Sequence, residues 1–311
     1  MLSRRHIRIK VMQSLYMYYN EGMDKSSLPQ LIKALDKNVT KLYELYLYHL
    51  VFLDELGRFV ERYEDQVKTR YIQNEKENRN TNKLLTSAVL QRLMASETLE
   101  KAKQKYSVQW QGDDDILRRI FLDLKNQDVY TEYLQFSDQN RMLEQEVLLF
   151  ILKHYPANFS ILQQHIEEHF YNWHDDRKIA LQMASKTIQV MASKPEDETY
   201  VQPVSQNEEE TIDFGNELIR ATVTNEEKIT GMIAQKITKW EPHQIAMVDS
   251  IILKMAVSEF LHFPGIPAKV SINEYIELAK NYSTPQSKKF VNGVLDAILQ
   301  DLRKQGSALV S

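Results

Sequence analysis

The stretch ILKMAVSEFLHFPGIPAKVSINEYIELAKNYSTPQSKKFVNGVLDAI, running from Ile252 to Ile298, reads as three helices separated by two breaks. With Pro242 as its opening residue, the first helix places Ile245, Val248, Ile252 and Met255 on one face of a 3.6-residue period. FPGIP (263–267) then stops it, because proline and glycine punctuate helices. Ser271 and Glu274 have capping-box spacing ahead of Tyr275, Ile276 and Leu278. Thr284 followed by Pro285 predicts an N-cap with proline at the first helical position. Phe290, Val294, Ile298 and Leu302 repeat every four residues in the last helix. Gly293 sits inside that helix, where glycine costs about 1 kcal/mol relative to alanine. It therefore predicts the close approach of another backbone.

Outward from this stretch nearly every segment carries a helical period. Phe214–Thr238 is a long apolar helix in which Thr224 and Glu227 have capping-box spacing. Segment 194–210, KPEDETYVQPVSQNEEE, is acidic, holds two prolines and has no apolar period, so it reads as a linker. Upstream, a helix is expected over Thr40 to Ile72, its centre apolar almost all round. A polar loop is expected at 73–83 (QNEKENRNTNK), and helices near 84–105, 114–135, 138–155, 157–171 and 175–192. In the first helix Val11, Met12, Leu15, Tyr16 and Tyr19 share a face. No internal repeat aligns.

Composition agrees with an all-α fold. The 311 residues include only 8 glycines and 8 prolines, too few turn formers for many short strands. Hydrophobic residues make up 43%, enough for burial to offset chain entropy, so wholesale disorder is excluded. Cysteine is absent, which rules out disulfides, thiolate nucleophiles and cysteine metal sites. The opening MLSRRHIRIK has the charge of a signal peptide, but Gln13, Ser14, Asn20 and Glu21 interrupt the apolar segment that a signal peptide needs. Leu45–Leu53 is too short to span a bilayer. A cytoplasmic protein with no membrane association is expected.

Catalytic signals are missing. Neither GxGxxG, GxxxxGK[ST] nor GxSxG occurs, and carboxylates on polar helix faces are explained by solvation. No cofactor and no enzymatic activity are expected. His165, His169 and His174 have a spacing that can hold zinc, but the glutamates in H-I-E-E-H are misplaced for a zinc protease. Phe170, Tyr171 and Trp173 beside them point to ordinary packing. Asp113, Asp114 and Asp115 precede Ile116 and complement a helix dipole.

Two cationic groups stand out against a net charge of −4. Arg4 and Arg8 are one turn apart, with Arg5, His6 and Lys10 beside them. Arginine forks onto phosphate and stacks on bases, so such a segment can serve RNA, or it can be a solvated terminus. Lys288 and Lys289 precede Phe290 at a helix start, where free amides favour phosphate. Phe290 can stack on a base or simply begin the core face of its helix.

These segments resemble the NusB transcription-antitermination family. The resemblance rests on P-x-K-V-x-I-N-E at Pro267 to Glu274, E-L-A-K at Glu277 to Lys280, and K-F-V-N-G-V-L-D at Lys289 to Asp296. RRHIRIKVMQSLYMYY (4–19) is similar to the family's arginine-rich first helix, and Phe214 to Trp240 to its middle helix. The resemblance implies an all-helical fold of two subdomains. It also implies binding of boxA-type single-stranded RNA in ribosomal RNA leaders. The implied partners are a small-subunit ribosomal protein in the NusE role and the RNA polymerase antitermination complex.

By position it assigns RNA contact to Arg4, Arg5, His6, Arg8 and Lys10 with Gln286, Lys288, Lys289 and Phe290. It assigns the protein partner to Tyr16 and Asp249. His6 stands where arginine is usual, which predicts a pH-dependent phosphate contact, and Gln286 replaces an acid. The expected organisation is 1–21 as the first helix of the NusB-like domain and 22–193 as an additional helical region. Residues 194–210 are the linker and 211–305 the C-terminal helical domain. The added region can shield the usual surface, replace a partner or form a homodimer. The competing readings are a protein-only helical scaffold and a NusB-like factor for ribosomal RNA processing or ribosome assembly. An RNA methyltransferase is disfavoured, since its cysteine and nucleotide-cofactor fold are missing.

Overall fold

A computed structural model describes residues 2–68, 81–136, 140–194, 201–203, 208–237 and 245–304. Among the described residues fourteen α-helices and two short 3-10 turns carry the chain, with no strand. This is the all-α class that the sparse glycine and proline predict. The chain divides into two compact units, Leu2–Val39 with Val204–Ser311, and Thr40–Pro203. We call them the terminal unit and the inner unit. The divisions fall at 39/40 and 203/204, whereas the sequence reading places its boundaries at 21, 193 and 210.

The terminal unit contains α1 (Arg4–Asn20), the opening turns of α2 (Leu28–Lys68), α10 (Glu208–Thr224), α11 (Glu226–Ala234), α12 (Met247–His262), α13 (Ala268–Tyr282) and α14 (Ser287–Lys304). Its core is made from their apolar stripes: Ile7, Val11 and Leu15 of α1, Leu31 and Leu35 of α2, Leu218 and Ile219 of α10, Ile252 and Val257 of α12, Tyr275 of α13, and Val291 and Leu295 of α14. Each such aliphatic side chain, fully buried, contributes roughly 1.5–3 kcal/mol.

Helix starts are where the sequence reading misses most. Asn225, not Thr224, caps α11, so the Thr224/Glu227 box does not form. The helix after FPGIP begins at Ala268 with Pro267 as its cap. Ser271 therefore lies in its interior, and its hydroxyl is used elsewhere. The Thr284–Pro285 pair forms a turn, closed by the Ser287 N–H donating to the Thr284 carbonyl at 3.0 Å, and α14 starts at Ser287. Pro242 lies outside the described residues, and α12 begins at Met247.

α2 begins at Leu28, within the terminal unit and twelve residues before the expected Thr40. The expected helix 84–105 is two, α3 (Ala88–Met94) and α4 (Glu97–Tyr106), because Ser96 caps the second by accepting from the Leu99 N–H. The expected helix 114–135 is likewise two, α5 (Asp114–Leu124) and α6 (Asp128–Gln135). Asn126 and Gln127 donate to the Asp123 and Leu124 carbonyls at 2.9 and 3.0 Å, tightening and ending α5. Asp113 caps α5, with Asp114 and Asp115 in its first turn, as the dipole argument requires.

The remaining helices are α7 (Arg141–Asn158), α8 (Ser160–His169) and α9 (Trp173–Ser193). The polar loop at 73–83 and the linker at 194–210 fall largely outside the described residues. Of the linker's described part, Glu208 already belongs to α10.

Of the three histidines that the sequence spacing singles out, His165 packs in the inner unit, while His169 and His174 are exposed. His165 Nε2 lies 2.5 Å from the Tyr48 hydroxyl, His169 Nδ1 lies 2.7 Å from the His165 carbonyl, and His174 faces Glu167 at 3.5 Å. Trp110 and Phe170 close over the Tyr48 ring. Among the described residues no group of three histidines or carboxylates is placed to hold a metal.

Two helical glycines behave oppositely. A Cβ on Gly215 would meet Ile7 Cγ2 at 2.7 Å and Leu35 Cδ2 at 2.9 Å, so α10 is in close contact with α1 and α2 there. A Cβ on Gly293 would meet nothing within 4 Å, so the expected close backbone approach is absent. Gly215→Ala is expected to cost about 1–3 kcal/mol through overpacking. Gly293→Ala is expected to gain up to about 1 kcal/mol. Urea unfolding of the two variants should move the terminal-unit midpoint in opposite directions.

Candidate nucleic-acid interface

Three arginines lie in the first two turns of α1, at the end where the helix dipole disfavours positive charge. Carboxylates from three other helices offset that. Arg4 Nη2 donates to Glu210 of α10 at 3.1 Å, and both side chains are exposed. Arg5 meets Glu274 of α13 through two bonds of 2.7 Å, from Nε and Nη2. Arg8, buried at 3% exposure, makes the same two-bond pair with Glu259 of α12, at 2.8 and 2.6 Å.

Glu259 also accepts from the Ser271 hydroxyl at 2.5 Å and the Tyr275 hydroxyl at 2.8 Å. The Arg8 guanidinium lies over the rings of Phe214 and Tyr275, 5.2 and 5.7 Å from their centroids. Each oxygen of the buried carboxylate thus accepts two bonds, and the buried cation is partnered. Burial would lower the Arg8 pKa, but the Glu259 bonds and nearby negative charge outweigh it, and the pKa rises. The Arg5 bonds, opposed by partial burial, hold the Glu274 carboxyl below its usual value.

His6 accepts at Nδ1 from the Ser3 N–H, 3.1 Å away, and so caps α1. Burial first, with nearby positive charge that includes Arg5, depresses its pKa to about 4. The ring in this capping bond is neutral at physiological pH; the sequence expectation for it is a pH-dependent phosphate contact. Lys10 is buried, at 2% exposure, and donates to the Gln13 side chain.

At the other end of the unit's chain, Gln286, Lys288 and Lys289 are exposed and Phe290 is half-buried. A set of hydroxyls fixes the turn that carries them. Ser287 Oγ donates to Asp249 of α12 at 2.6 Å and lies 3.0 and 2.8 Å from the Ser283 and Thr284 hydroxyls. Asp249 is buried, at 5% exposure, beneath that turn. Tyr16 presents 44% of its surface on α1. Arg4, Arg5, Lys288, Lys289 and Tyr16 thus stand at the surface of the terminal unit, while Arg8, Lys10 and Asp249 lie inside it.

The sequence reading did not single out Glu259, Glu210 or Phe214, and took Glu274 for a capping residue. A signal for Glu259 existed. It is a carboxylate inside the apolar run AVSEFLHF, and such a group must find a cationic partner.

Comparison with known proteins covers the C-terminal helices of the terminal unit. The NusB family model matches residues 174–300, from within α9 to near the end of α14. The chain is 49% identical to a Salinibacter ruber transcription antitermination protein NusB over 96 residues, 31% of this chain and 60% of that one. It is 40% identical to the protein of the same name from Chloroherpeton thalassium over 94 residues, 30% of this chain and 44% of that one. It is also 40% identical to that of Bacillus pumilus over 99 residues, 32% of this chain and 76% of that one. The chain belongs to the NusB family. It spans about half the length of the Salinibacter and Chloroherpeton relatives. The family match ends at 300 and takes in nothing before 174, so α1, the opening of α2 and most of the inner unit lie outside it.

Two measurements test the site's construction. Removing either partner of the buried pair, by Arg8→Ala or Glu259→Ala, is expected to cost about 3–5 kcal/mol because it strands a charge. The double change Arg8→Met with Glu259→Leu should cost much less, as equilibrium unfolding would show. For His6 the folded pKa lies below the unfolded one, so the unfolded chain binds more protons between about pH 6.5 and about 4. Stability should therefore fall as pH drops through that window. A stability–pH profile of His6→Gln should be flatter there.

Proposed function

We propose that this NusB-family protein is a non-enzymatic transcription antitermination factor for ribosomal RNA operons. Its terminal unit binds boxA-type single-stranded RNA. It acts in the cytoplasm together with a small-subunit ribosomal protein in the NusE role, as part of the RNA polymerase antitermination complex. Supporting this is the coexistence in one compact unit of exposed arginines at the start of α1 and exposed lysines at the start of α14. A cavity of about 560 Å³ opens beside the arginines, lined by Arg4, Arg5, His6, Arg8 and Glu274 together with the FPGIP turn. Among the described residues no helix is long and apolar enough to cross a membrane.

In this reading Arg4, Arg5, Lys288 and Lys289 neutralise phosphates, Gln286 hydrogen-bonds a base or sugar, and Phe290 offers a ring to a base. Arg8 and Lys10 support the surface from beneath, and His6 caps the helix that carries it. Tyr16 contacts the ribosomal protein, and Asp249 anchors the turn before α14. Affinity comes from phosphate neutralisation, so it must fall with salt. For single strands the slope is about 0.7 per phosphate contact. Arg5→Ala and Lys288→Ala should each weaken binding of a labelled boxA-type RNA and reduce that slope by about one contact's worth. Unchanged affinity and slope in both variants, measured by fluorescence anisotropy across a salt series, would overturn the assignment. If the unaltered protein retains no RNA at low salt, the protein-only scaffold takes its place.

A further inference from the structure

An arginine can fork through two edges of its guanidinium. Both bonds from Arg5 to Glu274 use one of them, Nε with Nη2. On the other edge Nη1 makes no hydrogen bond among the described residues, Nη2 keeps its second N–H, and half of the side chain is exposed (52%). Glu274 is itself held in place. It is only 17% exposed, it sits on α13 one residue before the buried Tyr275, and its Oε2 lies 4.0 Å from Nη1 of Arg8. Arg8 is in turn fixed by Glu259. A row of alternating charges therefore runs from the buried core to the surface: Glu259, Arg8, Glu274, Arg5.

An unrestrained arginine loses considerable rotamer freedom on binding a phosphate. Arg5 has already lost it, and the planar fork leaves its second edge pointed at a fixed place. We propose that Glu274 is a positioning residue for RNA recognition, clamping one edge of Arg5 so that the other is presented, pre-oriented, to a backbone phosphate. The proposal rests on the RNA-binding reading above. It also makes a claim opposite in sign to simple electrostatics. Glu274 is an anion next to the RNA, and deleting it should strengthen binding if charge alone mattered. A clamp predicts the reverse.

The test is a double-mutant cycle on the full chain, with a labelled boxA-type single-stranded RNA as probe. Glu274→Ala should weaken binding about three- to tenfold, the scale of one immobilised side chain. Glu274→Gln keeps an acceptor for one of the two bonds and should fall between the unaltered protein and Glu274→Ala. In an Arg5→Ala background, Glu274→Ala should cause no further loss, a result that a general effect on folding would not give. Tighter binding by Glu274→Ala would show that Glu274 occludes Arg5, and an equal loss in the Arg5→Ala background would show a purely structural role. Either overturns the proposal while leaving RNA binding intact. Failure of the unaltered protein to bind the probe overturns the RNA reading and the clamp together.

Discussion

The terminal unit depends on one buried ion pair. Arg8 of α1 and Glu259 of α12 lie at 3% and 0% side-chain exposure and are held by two short bonds. A pair of this kind is no free source of stability, because the desolvation of both ions roughly cancels their attraction. Its force is conditional. Once the guanidinium is inside, every misplacement of α1, α12 or α13 that breaks a bond leaves a charge unpaired in an apolar interior. Ser271 and Tyr275 raise the penalty further by fixing both Glu259 oxygens to α13. Phe214 of α10 and Tyr275 then confine the cation from its faces. One buried arginine therefore registers four helices.

The surface inherits that registration. Arginines in the first turns of a helix oppose its dipole, and a sequence under selection for stability alone would put acids there. α1 has no acid in its first turn. The offsetting acids arrive from α10 and α13, so the arrangement exists only in the folded unit. Each of the three arginines is thereby matched by one carboxylate, so the exposed ones stand at the surface as paired and oriented groups. Local placement, not the total, sets the field that a phosphate meets.

Much of this was legible from the sequence, and the rest was hidden for identifiable reasons. The helical class, the break at FPGIP and the cap at Asp113 follow from local chemistry, which residues near in sequence can express. The helix starts differ from those that Thr224, Ser271 and Thr284 suggest, because serine and threonine serve two roles with the same spacing. Ser271 could cap a helix or satisfy a buried carboxylate, and only the presence of Glu259, twelve residues away and across a turn, decides between them. Gly293 suggests close packing because glycine inside a helix usually has such a reason, and here nothing stands opposite it. The roles of Arg4, Arg5 and Arg8 were indistinguishable in sequence. Their separation into exposed and buried depends on the rotation of α1 against partners more than two hundred residues away.

That separation changes how the arginine-rich motif works. Read as a sequence, it is a row of equivalent phosphate ligands at the start of the first helix. In the folded unit its members have different tasks: Arg8 fixes the helix, His6 caps it as a neutral ring, and Arg4 and Arg5 face outward. Charge beside them limits where a polyanion can run. Glu210, Asp213 and Glu217 share one face of α10 and line a cleft with Arg4 and Phe214. A phosphate chain crossing that face would meet three carboxylates within two turns of helix. The path of least repulsion from Arg5 therefore leads away from α10. Exposed guanidinium edges beside an acidic face can orient a strand without reading any base, because phosphate contacts fix orientation and carry no sequence information.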